Sequence, residues 1–538
     1  MNDIKKIFKI LLIFPILFFF YLFIYNLIYF QGNKLLYFFF SFLSFYLITS
    51  VLVEEKKYFS EVFLSIYLWL GFWWKYSILQ WYSKSDLIVL SSSEGFNSRL
   101  VEAKVLNETF LSLIVSFIAI IGSLKVFKKF IKTKYNVKNK EEKFFTYLYL
   151  KYRKYILLSF SFLFITVGII NLYYGFYQKG LISNINLNFF VLSFYKLLIL
   201  FGVTMVGTII LFYEIKIKSK KIFFVSILIL IQNFFISTTN LSRAMILESS
   251  SILYGLNNSV KKFANRDYTK IFKLVIIMFL LFLLSFAISK MLRKNFFSYD
   301  YVVTEKNFTD KKIELQSIKK NLDFLAAERD NYEPEPDKKK KLVFAVPANF
   351  INKVILYFKS LYTEIFYLLS KRWVGIDSMI IVTDYSDRNF STFFDSFKDK
   401  LSKGDNPYYE KNFVDRFNNY GFGDFPDREI AKYNKKGQQI YGILTPGFIS
   451  FLHYADNNFF LFFSIFFIII VVLSIEKFFY FFSGNNLVLV SFFSHLVIYR
   501  LVHFGYLPNQ TYLFFGSIFL TLFILFFLKK IFLKYKKK

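Results

Sequence analysis

The chain has no cysteine, only three histidines, eight prolines and twenty glycines, and 37 Asp and Glu against 68 Lys and Arg. Without thiols there are no disulfides and no thiolate-bound metal centre. Alanine is scarce, and the heavy use of Phe, Ile, Lys and Asn follows the bias of an AT-rich genome, so a single Phe or Lys carries little functional weight. No internal repeat is visible, which counts against transporters built from two similar halves. The shortage of carboxylates leaves a formal charge of +31, but its placement excludes a nucleic-acid binder. Residues 291–450 hold 26 basic against 22 acidic side chains, a balance of only +4; the remainder sits in short clusters between apolar runs.

What is abundant is apolar. Hydrophobic residues make up 55% and aromatics 23% of the 538 residues, with a mean hydropathy of +0.42. The runs are long enough to cross a hydrocarbon core of about 30 Å, which takes roughly 20 helical residues. The first run, Ile10 to Phe30, follows Lys5, Lys6 and Lys9, is too long for a signal-peptide core and has no small-residue cleavage site, so it reads as a retained anchor.

With a cytoplasmic N-terminus, the spans fall at 10–30, 35–53, 58–81, 104–124, 156–176, 189–213, 222–238, 243–257, 271–290, 458–480, 486–507 and 510–528. Alternate loops are basic: Lys56 and Lys57, Lys125 to Lys154, Lys216 to Lys221, Lys261 to Lys273, and the tail Lys529 to Lys538; only the short Gly484-Asn485-Asn486 turn lacks the signal. This is the signature of cytoplasmic loops. The expectation is an all-α integral membrane protein of about twelve transmembrane helices, multi-pass, with both termini cytoplasmic. Residues 1–290 carry spans 1–9, 291–457 form one large, mostly helical external loop, and 458–538 carry spans 10–12. The eighth span is short and contains Glu248, which leaves a partial or tilted helix open there.

Within the large loop, Ile313, Ile318, Leu322 and Leu325 recur at helical spacing, residues 333–341 read as a solvated linker, and 350–369 as an amphipathic helix on the membrane interface. Residues 404–428, rich in Gly, Pro, Asp and Asn, read as irregular.

Cationic and hydrogen-bonding groups collect at one depth, the external ends of the spans: Trp73, Trp74 and Lys75 after the third, Arg243 before the eighth, Arg372 after the amphipathic helix, and Arg500 with His503 in the eleventh. Each alone is compatible with interfacial snorkelling or an aromatic belt. Arg500 and His503 share a helix face at i and i+3, in a span that also carries His495, and ionisable groups inside a span usually line a site. A cluster of arginines suits a phosphorylated headgroup on an apolar tail, because the guanidinium fork binds phosphate in bidentate fashion and keeps its charge.

The segment Ser237-Thr238-Thr239-Asn240-Leu241-Ser242-Arg243-Ala244 resembles the S-x-S-R-[GA] stretch of the bacterial O-antigen polymerase and ligase superfamily. Thr445-Pro446-Gly447-Phe448, the apolar span after it, and Tyr499 to Pro508 are similar to the C-terminal part of such polymerases, and Lys371-Arg372-Trp373-Val374-Gly375 has the same character. Arg243 to Gly255 is one residue longer than the Arg-to-Gly spacing of some members. The resemblance implies a metal-independent membrane glycosyltransferase of the bacterial inner membrane, without cofactor. It would polymerise undecaprenyl diphosphate-linked oligosaccharide repeat units into a surface polysaccharide such as that of lipopolysaccharide. Its partners would be the lipid-linked substrate, membrane lipids and a chain-length regulator protein. Arg243, Arg372 and Arg500 would then hold the diphosphate, and His503, His453 or Asp377 would act as the base; Asp384 and Asp387 are further candidates. His453 lies where a ligase of the superfamily carries its loop histidine, although its neighbours Leu452 and Tyr454 look like the start of a span and favour a packed histidine.

Ligase and flippase are the competing functions. Lipid-sugar-dependent transferases with metal-binding carboxylates in the first external loop are excluded, because that loop is only Gln31-Gly32-Asn33-Lys34.

Overall fold

The structure, a computed structural model, describes residues 2–54, 58–84, 101–130, 142–182, 188–242, 244–263, 268–296, 299–304, 373–395, 430–434, 439–440, 447–503 and 508–535. The expected helices at 311–329 and 350–369, the linker 333–341, the irregular segment 404–428, Arg243, Arg372 and the side chain of His503 lie outside the described residues.

A helix stands at each of the twelve expected positions. α1 (Asn2–Tyr29) and α2 (Lys34–Val53) precede α3 (Phe59–Leu68), which passes through a π-helical turn, Trp69–Trp74, into α4 (Lys75–Lys84). α5 (Ala103–Phe130) and α6 (Glu142–Tyr174) follow. α7 (Phe189–Leu197) runs through a second π-turn, Leu198–Gly202, into α8 (Val203–Lys216), and α9 (Ile222–Thr239), α10 (Met245–Phe263) and α11 (Tyr268–Phe296) close the first group. Three short helices, α12 (Ile376–Thr383), α13 (Phe390–Asp395) and α14 (Gly447–His453), lead to α15 (Asn458–Phe482), α16 (Leu487–Ile498) with a third π-turn at Tyr499–His503, and α17 (Pro508–Tyr535).

Nine of these, among the described residues, are long and apolar enough to cross a membrane; Ile16–Tyr29 and Leu487–Val502 are shorter apolar helices. The remaining position is α10, where Glu248 and the Asn257-Asn258 pair interrupt the apolar run. Outward faces are greasy. On α15, Phe459, Phe463 and Phe467 recur every four residues and are 76%, 57% and 67% exposed, a stripe that lipid covers and water would not tolerate. α16 is the opposite case: all twelve of its residues are buried, because it runs through the middle of the bundle against α3, α8, α10 and α15. A helix apolar on every side needs such a position. α10 crosses it closely at Gly255, where a Cβ would lie 2.8 Å from the Val488 Cα.

A small antiparallel sheet, absent from the all-α expectation, joins β1 (Leu181–Ile182), β2 (Tyr299–Thr304), β3 (Ile430–Asn434) and β4 (Gln439–Ile440) in the order β1-β4-β3-β2. Its strands come from the loop after α6 and from the large segment. Strand pairing therefore puts both at one end of the bundle, called here the loop face; the other end is the basic face.

Buried carboxylates fix the basic face. Glu476 accepts the backbone N–H groups of Phe59 (2.9 Å) and Ser60 (2.7 Å), capping α3 from α15. Lys128 bridges Glu54 and Glu61. Arg153 grips Glu214 with its fork, while Tyr149 donates to the same carboxylate.

Candidate functional site

The loop face is built on the π-turn Trp69–Trp74. A π-turn inserts one residue into a helix and frequently marks a functional site. Here it lets foreign backbone press against Gly71: a Cβ on Gly71 would sit 2.3 Å from the Val374 carbonyl oxygen, and one on Gly375 would sit 2.4 Å from that of Gly71. On its other side Val374 meets Gly447, whose φ of +69° is a left-handed conformation that suits glycine and whose Cβ would lie 2.9 Å from the Val502 carbonyl oxygen. The described parts of three segments singled out in the sequence, from Trp373, Gly447 and Tyr499 onward, thus come together at one place.

Lys75 locks this junction. It is buried, and its Nζ donates to the Trp373 carbonyl and to Asp377 Oδ2, both at 2.6 Å. Lys75 does not snorkel to an interface, and Trp73 joins no aromatic belt: it is wholly buried, with Nε1 donating to Ser41 Oγ at 3.0 Å. Asp377 Oδ1 is buried without a hydrogen-bond partner among the described residues.

A second tie holds the segment further on. Arg388 donates to Glu108 on α5, to Asp456 Oδ1 at 2.9 Å and to His453 Nε2 at 2.8 Å. Arginine has no acceptor, so Nε2 must accept, and the imidazole is neutral with its proton on Nδ1. Burial first, and the Arg388 charge second, lower the His453 pKa from 6.5 to about 3.

The loop carrying Ser237 to Ala244 is tightly held. The Leu241 backbone is left-handed, with φ of +53°. Ser242 N donates to the Ser237 carbonyl (2.8 Å), and Asn171 Nδ2 reaches both the Thr239 carbonyl (3.2 Å) and Asn240 Oδ1 (2.8 Å). Arg293 Nε donates to the Leu241 carbonyl at 2.9 Å. Lys179 N donates to the Asn240 carbonyl at 3.0 Å, which ties the β1 loop to the same point.

Between these three supports lies an aromatic and ionisable cluster. Tyr67 on α3 packs against Trp373 (ring centroids 5.7 Å apart), His495 (6.0 Å) and Tyr499 (6.0 Å). Lys179 Nζ stands 5.9 Å from the Tyr499 ring, and Arg500 lies over Phe514. Glu248, in the first turn of α10 and partly exposed, is close enough to Tyr67 and Lys179 to interact electrostatically with both. His495 is buried, with neither ring nitrogen hydrogen-bonded among the described residues.

Of the six residues selected in the sequence, the structure puts Arg500 next to Tyr499 in the chain, with its guanidinium over Phe514 on α17, and Asp377 in the ion pair that supports the cluster. His453 sits in the Arg388 tie, and the His503 backbone belongs to the third π-turn. The immediate neighbours of Arg243, Ser242 and Ala244, and of Arg372, Trp373, are placed at the same face. Sequence reasoning passed over Glu248, Lys179, Tyr67 and Arg388. Glu248 did carry a signal, a carboxylate in an apolar run just after Arg243; it was read as a defect of the span.

Compared with known proteins, the chain matches no family model, no curated protein and no solved structure.

Proposed function

We propose that the chain is a membrane glycosyltransferase that polymerises lipid diphosphate-linked oligosaccharide repeat units into a surface polysaccharide. In this reading it crosses the bacterial inner membrane twelve times, with the loop face external and both termini cytoplasmic. The supporting observation is the meeting around Val374 of Gly71, Gly447 and, through Gly447, Val502, on the same face as the pinned loop that precedes Arg243. Such a site can receive an amphiphile laterally from the bilayer, headgroup at the loop face and tail in lipid. Arg243, Arg372 and Arg500 hold the diphosphate. As the bond to the anomeric carbon breaks, negative charge grows on the leaving diphosphate, so a fixed cation stabilises the transition state more than the ground state.

Arg243→Ala is expected to lower chain elongation roughly a hundredfold or more, the typical loss of one such contact. Arg243→Lys keeps the charge without the fork and is impaired too. The readout is the length distribution of the glycan in membranes of producing cells. Unchanged polymer at normal protein level makes Arg243 an interfacial anchor and defeats the proposal.

A further inference from the structure

Among the carboxylates that the helices bring to membrane depth, three have their hydrogen-bonding capacity taken up. Glu61 binds Lys128, Glu214 binds Arg153 and Tyr149, and Glu476 caps α3. Asp377 is committed to Lys75. Glu248 differs from all four. Its side chain has no hydrogen bond or ion pair among the described residues, and the residue is partly exposed. It stands in the first turn of α10, five residues after Arg243. The two groups it senses, Tyr67 and Lys179, belong to the supports of the other two arginine segments: Tyr67 packs on Trp373, next to Arg372, and Lys179 lies over Tyr499, next to Arg500. A carboxylate whose side chain has no hydrogen-bond or ion-pair partner among the described residues, beside Tyr67 and Lys179 at the loop face, has no role in packing that would explain its cost at this depth.

We infer that Glu248 is the general base of the transfer, an inference that rests on the glycosyltransferase reading above. The acceptor sugar's hydroxyl oxygen attacks the anomeric carbon of the donor glycan, forming the new C–O bond. The bond from that carbon to the diphosphate oxygen breaks, and its electron pair leaves with the lipid diphosphate. The hydroxyl proton passes to a Glu248 carboxylate oxygen, so charge and atoms balance without a co-reactant. Lys179 supplies positive charge beside the acceptor, and one displacement inverts the anomeric configuration. His453, buried and already bonded to Arg388, is left to the fold in this assignment.

The test uses the full-length protein in producing cells, and purified in detergent with undecaprenyl diphosphate as the binding probe. Glu248→Gln preserves shape and removes basicity. It is expected to reduce chain elongation roughly a hundredfold or more, the usual contribution of a positioned base, while undecaprenyl diphosphate still binds within about twofold of the parent. Glu248→Asp, which keeps a carboxylate one methylene short, is expected to retain part of the elongation with a shifted pH profile. Parent-like elongation by Glu248→Gln, while Arg243→Ala elongates poorly, would overturn the base assignment and leave the glycosyltransferase standing. Loss of protein or of probe binding in both Glu248 variants would make the residue structural and overturn it as well. Parent-like polymer from both Glu248→Gln and Arg243→Ala would remove the glycosyltransferase reading itself.

Discussion

The two ends of the helix bundle treat buried charge differently. At the basic face, Glu61, Glu214 and Glu476 all spend their lone pairs on neighbours: a lysine, an arginine fork with a tyrosine, and a pair of backbone amides. At the loop face, polar atoms are left open. Asp377 Oδ1, His453 Nδ1 and both nitrogens of His495 are buried without hydrogen-bond partners among the described residues, and the Glu248 carboxylate is bound to nothing there. Unpaired buried polar groups are costly and concentrate where a protein does chemistry. On the proposed function, the first end holds the bundle together and the open polar atoms of the second face the substrate.

Three perturbations test this contrast. The largest effect is expected from Asp377→Ala, which strands the buried Lys75 ammonium and should cost about 3–5 kcal/mol of stability in a detergent melt. The double variant Lys75→Met, Asp377→Leu replaces the pair by apolar contacts and should recover most of that loss. If it also recovers chain elongation, Asp377 is a tie and not the base; a stable but inactive double variant would return Asp377 to the chemistry.

A middle effect concerns acidity. The unfolded imidazole of His453 takes a proton near pH 6.5, whereas the one held by Arg388 resists until about pH 3. Between those values the open state binds the extra proton. The tie among Arg388, Glu108 and Asp456 is therefore at full strength above pH 6.5 and weakens as pH falls, by about 2 kcal/mol at pH 5. Protease cleavage within 373–395 should rise on acidification in the parent protein, and His453→Asn should flatten that dependence. Equal slopes in both would place the titration elsewhere.

The smallest effect belongs to the basic face. Glu476→Gln keeps one acceptor for the α3 amides but loses the charge, and should lower stability by about 1 kcal/mol, the usual scale for a cap. Elongation per folded molecule should not change. A selective loss of elongation would break the division between the two ends.

The helices were legible because apolar run length and loop charge follow from the bilayer alone, and each expected position holds a helix. Even the weak point was visible, since its short apolar run and Glu248 set α10 apart. Arg500 was legible as a charge inside an apolar run. The partner of Lys75 was not: Asp377 lies 302 residues away, and no local pattern links them. The π-turns also escaped, because one inserted residue barely disturbs an apolar run. Gly71 looked like any helix glycine until the backbone of Val374 was seen against it. The sheet was hidden for a related reason: β1 and β4 have two residues each, too few to show alternation.

The buried position of α16 has a consequence for biogenesis. The helix at the centre of the bundle is next to last in the chain, so α3, α8 and α10 leave the ribosome long before the segment that fills the space between them. Until residues 487–498 arrive, the Ser251 carbonyl waits for the Ser491 hydroxyl that will bond to it at 2.7 Å, and the notch at Gly255 stands empty. The early helices therefore cannot reach their final packing until that segment arrives. Final compaction is a late event, set off by one short helix sliding into a slot already lined for it.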